Sequence, residues 1–305
     1  MSDPVRNKVR AVVVTFNPDL SRLTQVVESL APQVEGIVIV DNGSKNSDDV
    51  HAVAQKTAGV DFLGLPDNMG IGAALNVGSR HVLLSKPDWI LTMDQDTVVH
   101  VGGVDAILAS FTSLKRELQD RVAILAMRPH PQPSSIWITR YADRLLVVGD
   151  LESFVERVGV ITSGNLVRAD ILERLSFNES LFIDQVDFDF CFSVRHLGYR
   201  VLQHKSISMD HVLGERLRDT DKEHPYENAQ RVYYIIRNST YLVMRRRLPL
   251  RFYLVQVVVF SGAFVSMNGA GSVFHCTLVV LRGMFDAALG RLGRREYSFL
   301  AKGRR

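Results

Sequence analysis

The sequence predicts an α/β fold: a mostly parallel, Rossmann-like central sheet flanked by helices, followed by a helical appendage at the C-terminal end. Three observations carry that prediction. Apolar, β-branched runs alternate with segments of helical spacing through the first hundred residues. Those runs have the length and continuity of buried strands. Each of them stops on short polar residues. The chain has 305 residues, 46% hydrophobic and 23% charged, an ordinary globular balance with ample length for a core.

Residues 8–16 (Lys-Val-Arg-Ala-Val-Val-Val-Thr-Phe) form the first predicted strand, ended by Asn17-Pro18, because a residue before proline is pushed out of the helical region. Leu20, Leu23, Val26, Val27 and Leu30 then recur at helical spacing. Residues 36–40 (Gly-Ile-Val-Ile-Val) are a second strand closed by the turn Asp41-Asn42-Gly43-Ser44. A polar helix over about 51–57 leads to a third strand at 60–65, ending in Pro66-Asp67-Asn68. Residues 70–84 are a small-residue helix, and Trp89-Ile90-Leu91-Thr92-Met93 is a fourth strand that ends on Asp94-Gln95-Asp96. Such alternation implies right-handed crossovers and a doubly wound sheet. Further on, the spacing predicts a helix at 102–118, a strand at 122–127 and an irregular proline-containing loop at 128–144 bearing Trp137 and Tyr141. A strand with a Ser163-Gly164-Asn165 break follows at 158–167, then a helix at 169–175, a helix from about Gln185 to His196, a strand at 199–207 and a helix at 231–244. The segment 219–227 is a charged loop by composition.

Ligands of open α/β sheets sit at the carboxyl ends of the strands. Thr15 and Asn17, Asp41, Asn68, and Asp94 with Asp96 would therefore share one edge. Each alone is an ordinary turn former, but together they read as a pocket for a polar ligand. An ionised Asp41 only accepts hydrogen bonds and suits the imide N–H of uracil or thymine, whereas an Asx-turn is its plain alternative. Asp94 and Asp96 suit a hard divalent cation carrying a diphosphate. Gly70-Ile71-Gly72 is followed next by Gly78, so it misses the dinucleotide fingerprint. The first strand also lacks a Gly-rich phosphate loop. A dehydrogenase and a nucleotidyltransferase are both disfavoured, and the glycines of this helix are expected to let it pack closely on the sheet.

A second acidic cluster, Asp184-Gln185-Val186-Asp187-Phe188-Asp189, opens a helix. The spacing places Asp184 at its cap and Asp187 in its first turn. The surrounding aromatic residues imply a partly enclosed carboxylate, the environment of a general base. His211 follows the strand at 199–207 as Met209-Asp210-His211, where an imidazole could complete the coordination of an ion on Asp96.

In chain order these motifs are Val-Val-Thr-Phe-Asn-Pro, Val-Asp-Asn-Gly-Ser, Asn68-x-Gly-Ile-Gly-x-Ala-x-Asn76, Met-Asp-Gln-Asp-Thr, Ser163-Gly164-Asn165 and Phe182-Ile183-Asp184-x-Val-Asp187. The set resembles family 2 glycosyltransferases of the GT-A fold over about residues 9–238, and more narrowly the bacterial rhamnosyltransferases that use dTDP-L-rhamnose. Arg231-x-Tyr-Tyr-x-x-Arg237-Asn238 adds to the narrower likeness. The resemblance implies an inverting, metal-dependent transfer to a glycan or lipid-linked acceptor in cell-envelope polysaccharide biosynthesis. Thr15, Asn17 and Asp41 would hold the nucleoside. Asn68, Gly70, Asp94, Gly164 and Asn165 would line the nucleotide-sugar site. Asp96 and His211 would bind Mg²⁺ or Mn²⁺, and Asp187 would be the catalytic base. Val186 stands where many relatives carry Glu, which leaves Asp187 as base and Asp184 as a lesser candidate. The implied organisation is a catalytic domain at 1–228, with a nucleotide-binding half to about residue 100 and an acceptor-side half beyond it, and a C-terminal helical region at 229–305. A silent sugar-nucleotide-binding scaffold and an enzyme using a UDP-sugar are the alternatives.

Net charge is only +3, too little to imply a nucleic-acid partner. Arginines nevertheless crowd the C-terminal part, a pattern that suits an anionic surface such as membrane lipid. Residues 252–267 and 273–281 are apolar but each falls short of the ~20 residues of a spanning helix. An interfacial helix pair is one expectation, and a helical appendage packed on the core or on a second subunit is the other. Cys191 and Cys276 form no ligand spacing and no disulfide framework, and no apolar signal segment begins the chain. A cytoplasmic location, at the inner face of the membrane if the tail binds lipid, is expected.

Overall fold

The computed structural model describes residues 7–130, 141, 143–210 and 228–300. Its sheet begins with β1 (Val9–Thr15), β2 (Gly36–Asp41), β3 (Val60–Gly64) and β4 (Trp89–Asp94), separated by α1 (Leu20–Leu30), α2 (Ser47–Gln55) and α3 (Ile71–Leu83). These strands lie in the order β3-β2-β1-β4 and pair in parallel, in register Thr15↔Asp41 and Val14↔Asp94. The chain winds outward from β1 through β2 to β3, then crosses back to place β4 on the other side of β1. The switch point, where a crevice opens at the carboxyl ends, is therefore between β1 and β4.

Alternate residues of β1 face opposite ways, as a period of two requires. Val9, Ala11 and Val13 join one core with Leu23 of α1, while Val12 and Val14 join the other with Ala74, Leu75 and Val82 of α3. Asp19 caps α1 by accepting from the Arg22 N–H at 2.8 Å. The small residues of α3 bring it close: a methyl group at Gly78 would lie 2.5 Å from Val12 Cγ1. This is the packing expected of that helix.

Beyond β4 the sheet continues with β9 (Asn165–Arg168), β6 (Val122–His130), β10 (Arg200–Asp210), β8 (Phe154–Arg157) and β7 (Val147–Asp150), with β5 (Val98–Val99) also on β10. β9 runs antiparallel to β4 and β6, and β10 runs parallel to β6. The helix expected at 102–118 is divided into α4 (Gly103–Thr112) and α5 (Arg116–Gln119). Ser110, Thr112 and Ser113 each return a hydroxyl hydrogen bond to a carbonyl three or four residues back, which competes with helix propagation. The strand expected at 158–167 is shortened to Asn165–Arg168, because Gly164 turns at φ +75°. The β7–β8 hairpin has no clear alternation in the sequence. Its Glu156 is paired with both Arg195 and Arg200. Trp137, the charged loop at 219–227 and His211 lie outside the described residues.

After α6 (Ala169–Leu172) and α7 (Val186–His196), the C-terminal part contains α8 (Ala229–Met244), α9 (Leu250–Asn268) and α10 (Val273–Ala288). The apolar segment read as sixteen residues belongs to a helix of 19, long and apolar enough by length and composition to cross a membrane. It gains two residues at its start because Pro249 sets the entry. α8 is the hub, holding buried Tyr233 and Tyr234 against Phe182, Phe264 and Val279.

Candidate active site

The parallel register brings the polar strand ends to one edge. Thr15 Oγ1 donates to Asp41 Oδ1 at 2.9 Å, the Ser44 hydroxyl donates to the same oxygen, and the Ser44 N–H donates to Oδ2 at 3.1 Å. Asp41 is fully buried. A carboxylate has about four acceptor positions, and these bonds take three of them. Asn17 lies at φ +46° and belongs to the same turn: its N–H donates to Ser44 Oγ at 2.7 Å, and its Oδ1 accepts from the Lys45 N–H at 2.8 Å. Asn42 donates to Asn68 Oδ1 at 3.1 Å and accepts from the Met69 N–H at 2.9 Å. Thr15, Asn17, Asp41, Asn42 and Asn68 are thus held by one another and by the Ser44 turn. That is the preorganisation a polar pocket needs.

Gly70 has a second task. Its N–H donates to Asn68 Oδ1 at 3.0 Å, and the next N–H, of Ile71, donates to the Phe182 carbonyl at 2.8 Å. With φ +87°, a methyl group at Gly70 would lie 2.5 Å from that carbonyl oxygen. Gly70 therefore joins the donor side to the loop that leads into Asp187. Gly70→Ala is expected to cost about 1–3 kcal/mol, from overpacking and the positive φ together. A urea midpoint equal to wild type would refute the close approach.

Gln95, the middle residue of Asp94-Gln95-Asp96, closes the switch point. Its Oε1 accepts from the Phe16 N–H at 2.7 Å and its Nε2 donates to the Phe16 carbonyl at 3.4 Å. Arg22 donates to the carbonyls of Asp96 (2.8 Å) and Asp210 (3.3 Å). It thereby ties the acidic turn to the end of β10. The Asp94 N–H donates to Ser163 Oγ at 3.0 Å. Neither Gln95 nor Arg22 is legible as a site residue in the sequence, since each works through the backbone of a distant segment. Gly164 and Asn165 lie in the sheet under the pocket. Gly164 N–H donates to the Thr92 carbonyl, its carbonyl accepts from Met127 N–H, and its α-carbon faces the Met209 sulfur. Asn165 is paired with Thr92 and Ala126 and lines a small cavity together with Asp187, Thr162 and Cys191.

The segment before Asp187 is strained. Phe182, Asp184 and Gln185 have φ of 66°, 62° and 65°, a conformation costly for residues other than glycine. Gln185 rather than Asp184 therefore caps α7. The side chain of Asn238 holds the loop in place: its Nδ2 is 3.0 Å from the Leu181 carbonyl, 2.7 Å from that of Ile183 and 2.9 Å from that of Asp184. Arg237 donates to the Leu181 carbonyl at 2.9 Å and, through Nε, to Asn238 Oδ1 at 2.9 Å. The second bond fixes the amide so that its NH₂ faces the loop. Both side chains are fully buried.

Asp187 projects from the first turn of α7. Burial pushes its carboxyl up to about 7, and the nearby charges of Asp184 and Asp94 push the same way, against a hydrogen bond from the Phe188 N–H. Burial also raises Asp184, opposed by Arg231 at 3.3 Å. The arrangement supplies an enclosed carboxylate able to accept a proton near neutrality, beside the acidic end of β4.

Among the described residues, no three His, Cys, Asp or Glu side chains gather into a metal-binding group. The donor set at Asp94 and Asp96 is nonetheless hard oxygen. A Mg²⁺-like ion typically takes one or two carboxylates plus substrate phosphates rather than an all-protein cage. The residues fit a cation that arrives with a diphosphate.

The chain resembles known proteins along most of its length. It is 27% identical over 284 residues to a dTDP-rhamnosyl transferase, RfbF, of Shigella flexneri, covering 90% of this chain and 89% of that one. An N-acetylglucosaminyltransferase of Azorhizobium caulinodans is 35% identical over 114 residues, 35% of this chain and 28% of that protein. The crystal structure of GalNAc-T7 with UDP, GalNAc and Mn²⁺ superposes with a TM-score of 0.56 at 14% identity, over 83% of this chain and 54% of that longer one. That likeness is one of fold, and the fold is GT-A. The profile of Glycosyl transferase family 2 matches residues 11–175. More than half of the chain carries that match, and the protein belongs to glycosyl transferase family 2.

Proposed function

We propose that the protein transfers L-rhamnose from dTDP-L-rhamnose, with inversion, to a hydroxyl of a cell-surface glycan or glycolipid acceptor. The single observation that carries this reading is the enclosed Asp187, set in the first turn of α7 beside the acidic end of β4 and lining a small cavity with Asn165 and Thr162. The similarity to the dTDP-rhamnosyl transferase over 90% of the chain supports the donor.

In this mechanism the Asp187 carboxylate takes the proton of the acceptor hydroxyl. The hydroxyl oxygen bonds to the anomeric carbon while the bond to the diphosphate oxygen breaks, its electron pair leaving with the diphosphate. Asp94 and the turn around Asn68 orient the sugar, and the linked ends of β1, β2 and β4 fix the nucleoside. A Mg²⁺ or Mn²⁺ ion held by Asp96 and His211 would offset the charge of the leaving diphosphate. Free buried Cys191 and Cys276 suit a reducing, cytoplasmic setting for the reaction.

Asp96→Asn tests the metal assignment. By calorimetry with dTDP-L-rhamnose, affinity in Mg²⁺ is expected to fall about tenfold or more, the loss of roughly one charged contact, while metal-free affinity is unchanged. Equal affinities for both proteins in Mg²⁺ would remove Asp96 from the metal site. A panel of dTDP- and UDP-sugars in the same assay separates the rhamnosyl reading from a UDP-sugar enzyme. Donor binding without release of free dTDP in the presence of acceptor would favour a silent scaffold.

A further inference from the structure

The C-terminal helices have a composition unlike the rest of the chain. From residue 228 to residue 295 the sequence contains ten arginines, no lysine and a single carboxylate, Asp286. That carboxylate is fully buried, accepting from the hydroxyls of Tyr233 and Tyr297 at 2.7 Å each and from Arg282 at 3.1 Å. The outer surface of α9 and α10 therefore presents no negative charge. It presents large apolar side chains instead: Leu254, Val258, Phe274, Leu281 and Phe285 are each more than half exposed. On α10, Phe274, Leu281 and Phe285 fall on one helical stripe. Arg246 and Arg251 lie exposed beside the start of α9 and make no ion pair among the described residues.

We propose that this face docks on an anionic lipid surface and lies in the interface rather than crossing the bilayer. Apolar residues backed by arginines and free of acids match the acyl–headgroup boundary of such a surface. A second copy of the chain matches it poorly, because a two-fold interface would set arginine against arginine. The inner side of α9 is committed to the protein. Buried Gln256 accepts from Ser239 Oγ at 2.9 Å, and the Tyr253 hydroxyl accepts from Thr240 at 3.1 Å. Crossing the membrane would break those bonds. On that same inner side, buried Phe252 in the first turn of α9 packs 5.4 Å from the ring of Phe188, the residue after Asp187.

Flotation with vesicles of phosphatidylcholine, with and without phosphatidylglycerol, tests the docking independently of turnover. The full-length protein and its Asp187→Asn variant should both float with the anionic vesicles and not with phosphatidylcholine alone. Arg246→Ala and Arg251→Ala should each lower partitioning about fivefold, the equivalent of ~1 kcal/mol per arginine near an anionic surface. Phe274→Glu with Phe285→Glu should abolish flotation while calorimetric binding of dTDP-L-rhamnose stays intact. Absence of flotation, equal flotation on both vesicles, or unchanged flotation of the double variant would overturn the proposal. So would a dimer dissolved by the same double variant. Flotation that persists in an enzyme inactive on every rhamnosyl donor would sustain the docking and sink only the catalytic reading.

Discussion

Replacing Asp187 by Asn is expected to cut transfer by ~10²–10⁴-fold, the usual worth of one positioned base, while the affinity for dTDP-L-rhamnose stays near that of wild type. The same substitution should stabilise the fold at alkaline pH. Burial raises the Asp187 carboxyl from 3.8 to about 7, so the folded chain binds this proton more tightly than the unfolded chain. Its contribution to stability is fully present below about 3.8 and is lost as pH rises through about 7. At pH near 4 the two proteins should melt alike; at pH near 8 the Asn variant should melt at least about 2 °C higher, where 1 kcal/mol moves a chain of this size by a few degrees. Wild-type kcat/KM for the acceptor should rise with pH through about 7, because the base must be ionised to act. A variant that keeps its rate, or melts lower at alkaline pH, contradicts the assignment.

The second large effect is expected at Asn238, which touches no substrate in this account. Asn238→Leu keeps the branched outline of the side chain, with somewhat more bulk, but removes the amide that faces three carbonyls of the loop at 181–184. Buried carbonyls left without partners cost about 1–3 kcal/mol each. The loop is already strained at Phe182, Asp184 and Gln185, so it should relax and carry Asp187 with it. Urea unfolding should show a loss of about 3 kcal/mol. Acceptor turnover should fall at least about tenfold with donor affinity largely kept, since the nucleoside side is held by Asp41, Ser44 and Asn42. Arg237→Lys should reproduce part of the effect, because a lysine cannot give Asn238 Oδ1 and the Leu181 carbonyl separate, fixed donors. A structural role elsewhere in α8 would lower stability without separating kcat from donor affinity.

Much of the polar sheet edge was legible in the sequence because its signals are local. Continuous apolar runs ending on Thr15, Asp41 and Asp94 already state a parallel sheet and a polar edge, and the structure places those ends in adjacent register; Asn68, in the loop beyond β3, joins them through Asn42. Asp187 was legible as a carboxylate among aromatics. The parts that were not legible depend on contacts between distant segments. Arg22 reaches the carbonyl of Asp210, 188 residues away. Asn238 reaches a loop more than 50 residues earlier. No periodicity encodes such pairs. The sequence suggests Asp184 as the helix cap, but the positive φ at Asp184 and Gln185 moves the cap one residue on, a conformation that residue type alone does not announce. The segment 252–267 shows a related limit, since counting apolar residues missed the turn that Pro249 starts.

The turn at Asn68 and the loop before Asp187 meet at Gly70, where the Ile71 N–H and the Phe182 carbonyl join them. In the proposed mechanism this contact links the residues that would hold the nucleotide to the loop that places the proton acceptor. An acceptor hydroxyl entering between them would approach the anomeric carbon from the face opposite the diphosphate. The anomeric configuration of the product tests this most directly. With dTDP-L-rhamnose, Mg²⁺ and a hydroxyl acceptor, the account predicts release of dTDP and a rhamnoside whose anomeric configuration, read by NMR, is opposite to that of the donor. A product with the donor's own configuration, or a sugar transferred without release of dTDP, would contradict it.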